Sequence, residues 1–236
     1  GENAGLDLKG SEFINNTADL GGAVAVSSGT TGTFTIDDCT FTENKANDEG
    51  GAIYGYTTDS PITVSNSEFT KNNGGSYGGA IEADGNTDLN VIDSKFTQNS
   101  ASYGGAIITG GNTVISGSTF TGNDAASLTE AIYSWYSGKT LALTGNTITD
   151  DGIQIYAANG VIMTTPLKVR ILDNDTVNIH MAPYDITGVV TDDNGNALVY
   201  MSLRFKVGDD IVSGLSVDIA TGVYKTTFTP TQTGEF

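Results

Sequence analysis

Phe13, Phe41, Phe69, Phe96 and Phe120 recur at spacings of 28, 28, 27 and 24 residues, and each is followed three residues later by an asparagine: Asn16, Asn44, Asn72, Asn99 and Asn123. Ile148 takes the Phe position 28 residues further on. A second apolar column stands five residues before each of these: Leu8, Ile36, Val64, Val91, Ile115 and Leu143. A third follows a glycine corner: Val24, Ile53, Ile81, Ile107, Ile132 and Ile153. Each period therefore holds three short strand-like pieces separated by Gly, Asn, Asp and Ser turns. A helical solenoid would need 3.6-residue patterning, which this chain lacks.

Three strands per period of near 27 residues predict a right-handed parallel β-helix of about six rungs, in an all-β chain. Rungs stacked about 4.8 Å apart would make a column roughly 29 Å long. Residues at one repeat position then lie directly above one another. The Phe and aliphatic columns become core ladders, and the Asn column can form an amide ladder. The glycine pairs at 21–22, 50–51, 78–79 and 104–105 fit a corner needing positive φ or close backbone approach. Thr129-Glu130 replaces that pair in the fifth copy, which predicts an altered corner there. Cys39 shares a small-residue column with Ser11, Ser67, Ser94 and Ser118, so a buried structural thiol is expected rather than a nucleophile.

The balance of 10 basic and 28 acidic residues, net charge −18, repels nucleic acid and anionic bilayers. One cysteine permits no internal disulfide, and with one histidine no His/Cys zinc cluster can form. No apolar run is long enough to span a membrane, and the first residues lack a signal-peptide pattern. The chain begins inside repeat-like sequence and ends where a strand would start, as expected of a piece of a longer protein whose anchor lies elsewhere.

The pairing of FxxN with GGAI over residues 1–163 resembles the polymorphic outer-membrane protein repeats of chlamydial surface adhesins. It also resembles the adhesin-like proteins of methanogenic archaea, whose β-helix repeats precede Ig-like modules. The resemblance implies an extracellular, cell-surface location and attachment to another cell, and it carries over no catalytic residues.

Past about Thr165 the grammar changes to alternating apolar and polar residues, with DNGN at 193–196 as a hairpin-type turn. The domains expected are a β-helix over 1–165 and a β-sandwich over 166–236 that is truncated at its C-terminus or borrows an edge strand. GVVTDDNGNAL and TGVYKTTFTPTQTG resemble bacterial and archaeal Ig-like surface repeats, which implies a spacer module. His180 reads as an ordinary strand residue. Asp192, Asp193, Asn194 and Asn196 offer oxygens to calcium, although a solvated turn explains them equally well and the terminal Glu of an EF-hand is missing. No other cofactor is expected. Asn15 and Asn174 lie in N-x-Thr sequons.

Identical repeat positions build scaffold, so function is sought where outward positions vary. Alternation along the strand after the glycine corner places Ala25, Tyr54, Glu82, Ile108, Tyr133 and Gln154 outward, and then Ser27, Tyr56, Asp84, Gly110, Trp135 and Tyr156. The candidate ligand-binding face is therefore Tyr54, Tyr56, Glu82, Asp84, Ile108, Tyr133, Trp135 and Tyr156, with Tyr136 at its rim. Tyr77 and Tyr103, just before two glycine pairs, are also free to meet a partner. Exposed rings on a rigid platform suit stacking on sugars or protein hot spots. The plainer alternative is that aromatic residues simply favour strands.

Parallel β-helices also host polysaccharide lyases and glycoside hydrolases. Glu82 and Asp84, two apart on one strand, would stand about 7 Å apart, compatible with an inverting carboxylate pair. A lyase needs a basic residue on the same face, and the lysines fall elsewhere in this register. The hydrolases' Gly-His-Gly and Arg-x-Lys elements are missing too. The expected function is a non-enzymatic adhesin fragment whose partner is a cell-surface glycan or a surface protein of another microbe or host. The alternatives are a structural stalk or surface-layer segment without ligand, and a polysaccharide-degrading enzyme.

Overall fold

The computed structural model describes residues 5–27, 32–56, 60–150, 152–165, 168–171, 184–201, 203, 205–207, 210–212 and 214–229. His180, Asn174, Asp151 and the last stretch, 230–236, lie outside these. Among the described residues there is no helix. The chain winds as a parallel β-solenoid. One seven-stranded sheet runs from Leu6–Lys9 through Phe34–Asp37, Ile62–Ser65, Leu89–Ile92, Thr113–Ser116 and Thr140–Thr144 to Ile162–Met163. A six-stranded sheet carries the Phe column, from Glu12–Ile14 to Thr147–Ile148. The third follows the glycine corners, from Val24–Val26 through Ile53–Gly55, Ile81–Ala83, Ile107–Thr109 and Ile132–Ser134 to Ile155–Ala157.

The solenoid has about five full turns rather than six equal rungs. The last strands of the first two sheets shrink to two residues each, Ile162–Met163 and Thr147–Ile148. Its register also differs from the sequence expectation. Ile132 pairs with Ile155, not Ile153, so Tyr156 follows Tyr133 in the outward column and Gln154 does not. The Gly152-Ile153 dipeptide imitates the glycine corner in sequence but sits two residues early in the turn.

Repeat columns become ladders as the periodicity requires. Phe13, Phe41, Phe69, Phe96 and Phe120 stack face to face with ring centroids 4.8 Å apart at every step. That spacing is the strand separation itself, so backbone pairing and ring stacking impose one repeat. The amide of Asn72 donates from Nδ2 to Asn99 Oδ1 at 2.9 Å and to the Phe41 carbonyl at 3.0 Å. Its Oδ1 accepts from Asn44 N and Nδ2, both at 3.0 Å. Asn44, Asn99 and Asn123 repeat the donor pattern, and Asp150 ends it by accepting from Asn123 N and Nδ2. Each asparagine thus gives a Phe-column carbonyl one turn back a side-chain donor.

A second ladder runs through the small-residue column. Cys39 N donates to Ser67 Oγ, Ser67 N to Ser94 Oγ, and Ser94 N to Ser118 Oγ, at 3.1–3.2 Å. The Cys39 thiol is buried and donates to the Asp37 carbonyl at 3.3 Å, as each serine hydroxyl donates to the carbonyl two residues back. It occupies a hydroxyl's place in the ladder.

The two glycines of each corner serve different needs. Gly50, Gly78 and Gly104 hold φ of 59–65°, whereas a Cβ on Gly51 or Gly79 would stand 2.0 or 1.9 Å from the next turn's carbonyl oxygen. Thr129 keeps the corner rather than altering it, adopting φ of 64° with Gly105 N donating to its carbonyl at 3.1 Å. Ladder pairing above it dictates the backbone, and the threonine bears the strain, its Oγ1 buried without a hydrogen-bond partner.

After residue 165 the chain closes the solenoid's end. Ala197–Tyr200 lies parallel to Ile155–Ala157, and Tyr184–Thr191, Val223–Phe228, Ser216–Asp218 and Lys168–Ile171 continue the same sheet in antiparallel order. Val190, Leu198 and Tyr224 join the solenoid's hydrophobic core. The turn that sequence offered to calcium holds this junction: Asn196 Oδ1 accepts from Ile148 N at 3.3 Å, and its Nδ2 donates to the Asn146 carbonyl at 3.2 Å. Buried Asp192 accepts from Asn194 N, Asn196 N and Asn196 Nδ2 at 2.7–3.0 Å. A two-stranded ribbon, Phe205–Val207 with Asp210–Val212, accompanies this sheet. The described strands show an antiparallel extension of the solenoid, a coarser arrangement than the expected sandwich.

Candidate functional site

The variable outward positions of the third sheet converge on one side of the solenoid, but not all of them face solvent. In the column Tyr54, Glu82, Ile108, Tyr133 and Tyr156, paired directly from strand to strand, Glu82 is 1% and Ile108 0% exposed. Both were expected on the surface. Ile108 lies at the level that a ring pair from the turns on either side of it crosses, and Glu82 is enclosed beside Glu49 and Asp84, events alternation within one strand cannot reveal.

The covering rings form a continuous cluster. Tyr77 stacks on Tyr103 at 5.5 Å, as their short parallel bridge requires. Tyr133 lies 6.4 Å from Tyr103, 5.0 Å edge-on to Tyr156 and 6.3 Å from Trp135. Trp135 stacks on Tyr136 at 5.0 Å and reaches Tyr77 at 5.8 Å. Tyr77 precedes the strand bearing Glu82 and Trp135 follows the strand bearing Tyr133, so the indole crosses the level of Ile108 between them. The sequence signal for this meeting was the pair of tyrosines ahead of the glycine corners.

A second row carries the most exposed rings. Tyr56 and Tyr136 are 38% and 39% exposed. Each lies against a glycine of the adjoining turn: a Cβ on Gly85 would stand 2.8 Å from Tyr56 Cε2, and one on Gly110 2.5 Å from Tyr136 Cδ2. Gly110, the blank in the outward column, is thus the floor that lets a ring lie flat. Asp84 follows the strand Ile81–Ala83, in a turn between those that bear Tyr56 and Tyr136, and its charge, after burial, raises the pKa of Tyr136.

Below Tyr54 stands an acidic cluster. One carboxylate oxygen from each of Glu49, Glu82 and Asp84 lies within 4.8 Å of the others. Glu82 and Asp84 therefore approach more closely than the strand-geometry distance of about 7 Å, because their side chains turn toward one another and toward Glu49 from the adjacent side of the solenoid. Asp84 Oδ1 accepts from Gly85 N at 2.6 Å. Glu82 Oε2 is buried with no hydrogen-bond partner. Burial, reinforced by the charges of Glu49 and Asp84, pushes the Glu82 pKa up to about 9. Glu49 is raised by burial and then by Asp84, and Tyr54 is raised by burial and then by Asp84, Glu49 and Glu82. Both ion pairs among the described residues, Lys9 with Asp37 and Lys225 with Asp185, lie elsewhere.

The site thus brings together all nine sequence candidates, Tyr54, Tyr56, Glu82, Asp84, Ile108, Tyr133, Trp135, Tyr136 and Tyr156. Ile108 serves as its floor and Glu82 as its buried interior, while Tyr77, Tyr103, Glu49, Gly85 and Gly110 complete it.

Comparison with known families gives one match. The model of the Chlamydia polymorphic membrane protein (Chlamydia_PMP) repeat matches residues 38–56, a single turn containing Phe41, Asn44, the Gly50-Gly51 corner, Tyr54 and Tyr56. No curated protein and no solved structure matches the chain.

Proposed function

We propose that this chain is the ligand-presenting part of a cell-surface adhesin, and that its aromatic and acidic face holds a glycan of another cell. One observation carries the reading: Tyr77, Tyr103, Tyr133, Trp135, Tyr136 and Tyr156 form an unbroken ring cluster beside the exposed Tyr56, on a backbone held rigid by ladder hydrogen bonds. Flat rings over a glycine floor offer the apolar faces on which sugar rings stack, and Asp84 between them offers acceptors for hydroxyls. The similarity of one turn to a polymorphic membrane protein repeat supports an outer-surface location. The net charge of −18 favours a neutral glycan over an anionic one. On this reading residues 166–236 serve as an Ig-like spacer docked to the solenoid.

A non-catalytic role is part of the proposal. An inverting pair leaves roughly 6.5–9.5 Å for a water between its carboxyls. Glu82 and Asp84 approach more closely, near the roughly 5–5.5 Å of a retaining pair, but Glu82 is sealed from solvent and from any substrate.

A second reading, a ligand-free stalk, draws support from the same rings, because they pack on one another and cover Ile108. The two readings part in a glycan-array and whole-cell attachment assay. The adhesin reading expects wild-type binding to a defined glycan set and loss of it on Tyr56→Ala and Tyr136→Ala. Equal attachment by wild type and variants would support the stalk.

A further inference from the structure

The carboxylates of Glu49, Glu82 and Asp84 converge beside Tyr54. Glu49 comes from the strand Lys45–Glu49, Glu82 from Ile81–Ala83, and Asp84 from the turn that follows. Two acidic groups at one side of a chain would ordinarily splay toward water; here one of each residue's oxygens converges to within 4.8 Å of the others. Glu82 is 1% exposed, and its Oε2 has no donor. A buried, unpartnered carboxylate oxygen needs a proton donor, a cation or a proton of its own.

Geometry selects among hard cations. Calcium binds oxygen at 2.3–2.6 Å, so two ligands on opposite sides of one ion stand about 4.6–5.2 Å apart. Three oxygens within 4.8 Å of one another lie at most about 2.8 Å from a common centre, so a small side-chain adjustment brings all three into calcium's range. Magnesium, at about 2.0–2.1 Å and near-ideal octahedral, dehydrates reluctantly and tolerates an irregular all-protein oxygen set less well. The Asp84 side chain is held in place through Oδ1 by Gly85 N. Soft and imidazole-seeking metals find no matching ligand in this oxygen-only set.

We propose that Glu49, Glu82 and Asp84 bind a single calcium ion, which ties the Lys45–Glu49 strand to the glycine-corner sheet beneath Tyr54. The ion offsets the charge of the cluster and gives Glu82 Oε2 a partner. It also fixes the edge of the aromatic platform, because Tyr54 stands within the field of all three groups.

The test is a calorimetric titration of the whole EDTA-treated chain with calcium chloride and, separately, magnesium chloride at neutral pH and 0.15 M sodium chloride, with no glycan present. Terbium luminescence excited through tyrosine reports proximity to Tyr54. The expected result is one calcium per chain, at least tenfold tighter than magnesium, with sensitised terbium emission. Glu82→Gln keeps the shape of a buried neutral side chain and is expected to fold, with calcium affinity reduced at least tenfold. Asp84→Asn provides a second, more exposed substitution with the same expectation. Asp193→Asn, in the turn at the solenoid's end, leaves binding unchanged. Absence of calcium binding by the folded wild type, equal affinity for magnesium, unchanged affinity in both Glu82→Gln and Asp84→Asn, or loss of binding in Asp193→Asn would overturn the proposal.

Discussion

Trp135 and Tyr77 lie 5.8 Å apart, ring centroid to ring centroid, although a whole turn of the solenoid separates their strands. The turn between them carries Ile108, which is fully buried on a side of the sheet that alternation assigns to solvent. One indole therefore does two things: it seals an apolar position and joins rings from separate turns into one surface.

Trp135→Ala is expected to uncover Ile108 and lower stability by about 2 kcal/mol, below the 3–5 kcal/mol of a fully buried tryptophan because the ring is half-buried. For a domain of this size that corresponds to a melting point lower by about 4–8 °C. Trp135→Phe should recover most of the loss, as read by circular dichroism on heating.

The asparagine ladder has a direction, and substitutions along it should not be equivalent. Asn72 both accepts from Asn44 and donates to Asn99 and to the Phe41 carbonyl, so Asn72→Asp removes two buried donors and sets a charge in their place. A loss of at least about 3 kcal/mol is expected. Asp150, at the ladder's end, accepts from Asn123, a task asparagine performs in every earlier turn. Asp150→Asn should change stability by less than about 1 kcal/mol. Chemical denaturation of the two variants side by side checks the difference.

Thr129 holds φ of 64° with a buried, unpartnered hydroxyl. Left-handed backbone costs a non-glycine residue about 1–2 kcal/mol. Thr129→Gly, which restores the residue of the other corners, should raise the melting point by about 2–6 °C after glycine's greater chain entropy is subtracted. An unchanged or lower melting point would mean that the corner is not strained.

Glu82 sets a pH dependence of known sign. Its pKa is near 9 in the fold and about 4.5 in the unfolded chain, so between those values the folded state holds more protons. Its contribution to stability is whole below pH 4.5 and is lost as pH rises toward 9. In EDTA, stability should fall across this window in the wild type and less steeply in Glu82→Gln, as followed by denaturant unfolding from pH 5 to 9.

Much of this architecture is legible in the sequence because each ladder uses one residue type at one spacing. Phe41 above Phe69, Asn44 above Asn72 and Ile53 above Ile81 all follow from period and alternation alone. The failures occur where the repeat decays or where distant turns meet. Gly152-Ile153 copies the corner dipeptide, but strand pairing chooses Ile155, since that register brings Tyr156 under Tyr133. Ile108 and Glu82 stand in the outward column, yet Trp135 and Tyr77 meet across the level of Ile108, and Glu82 is enclosed beside Glu49 and Asp84. Glu49 was invisible as a site residue, since it lies on a different side of the turn from Glu82 and only winding brings them together. Asn196 looked like part of a free turn, whereas its amide caps the backbone edge of the last Phe-column strand at Asn146 and Ile148.

Trp135 is the sole tryptophan of the chain, so its emission reports on the aromatic face without a label. A titration of the folded protein with a glycan identified by array binding, followed at this tryptophan, addresses the ligand-binding face directly. The account expects a saturable change in intensity and wavelength, with a midpoint equal to the dissociation constant from calorimetry, and its loss in Tyr136→Ala. Binding established by calorimetry while the Trp135 emission stays constant to saturation would place the ligand elsewhere and contradict the account.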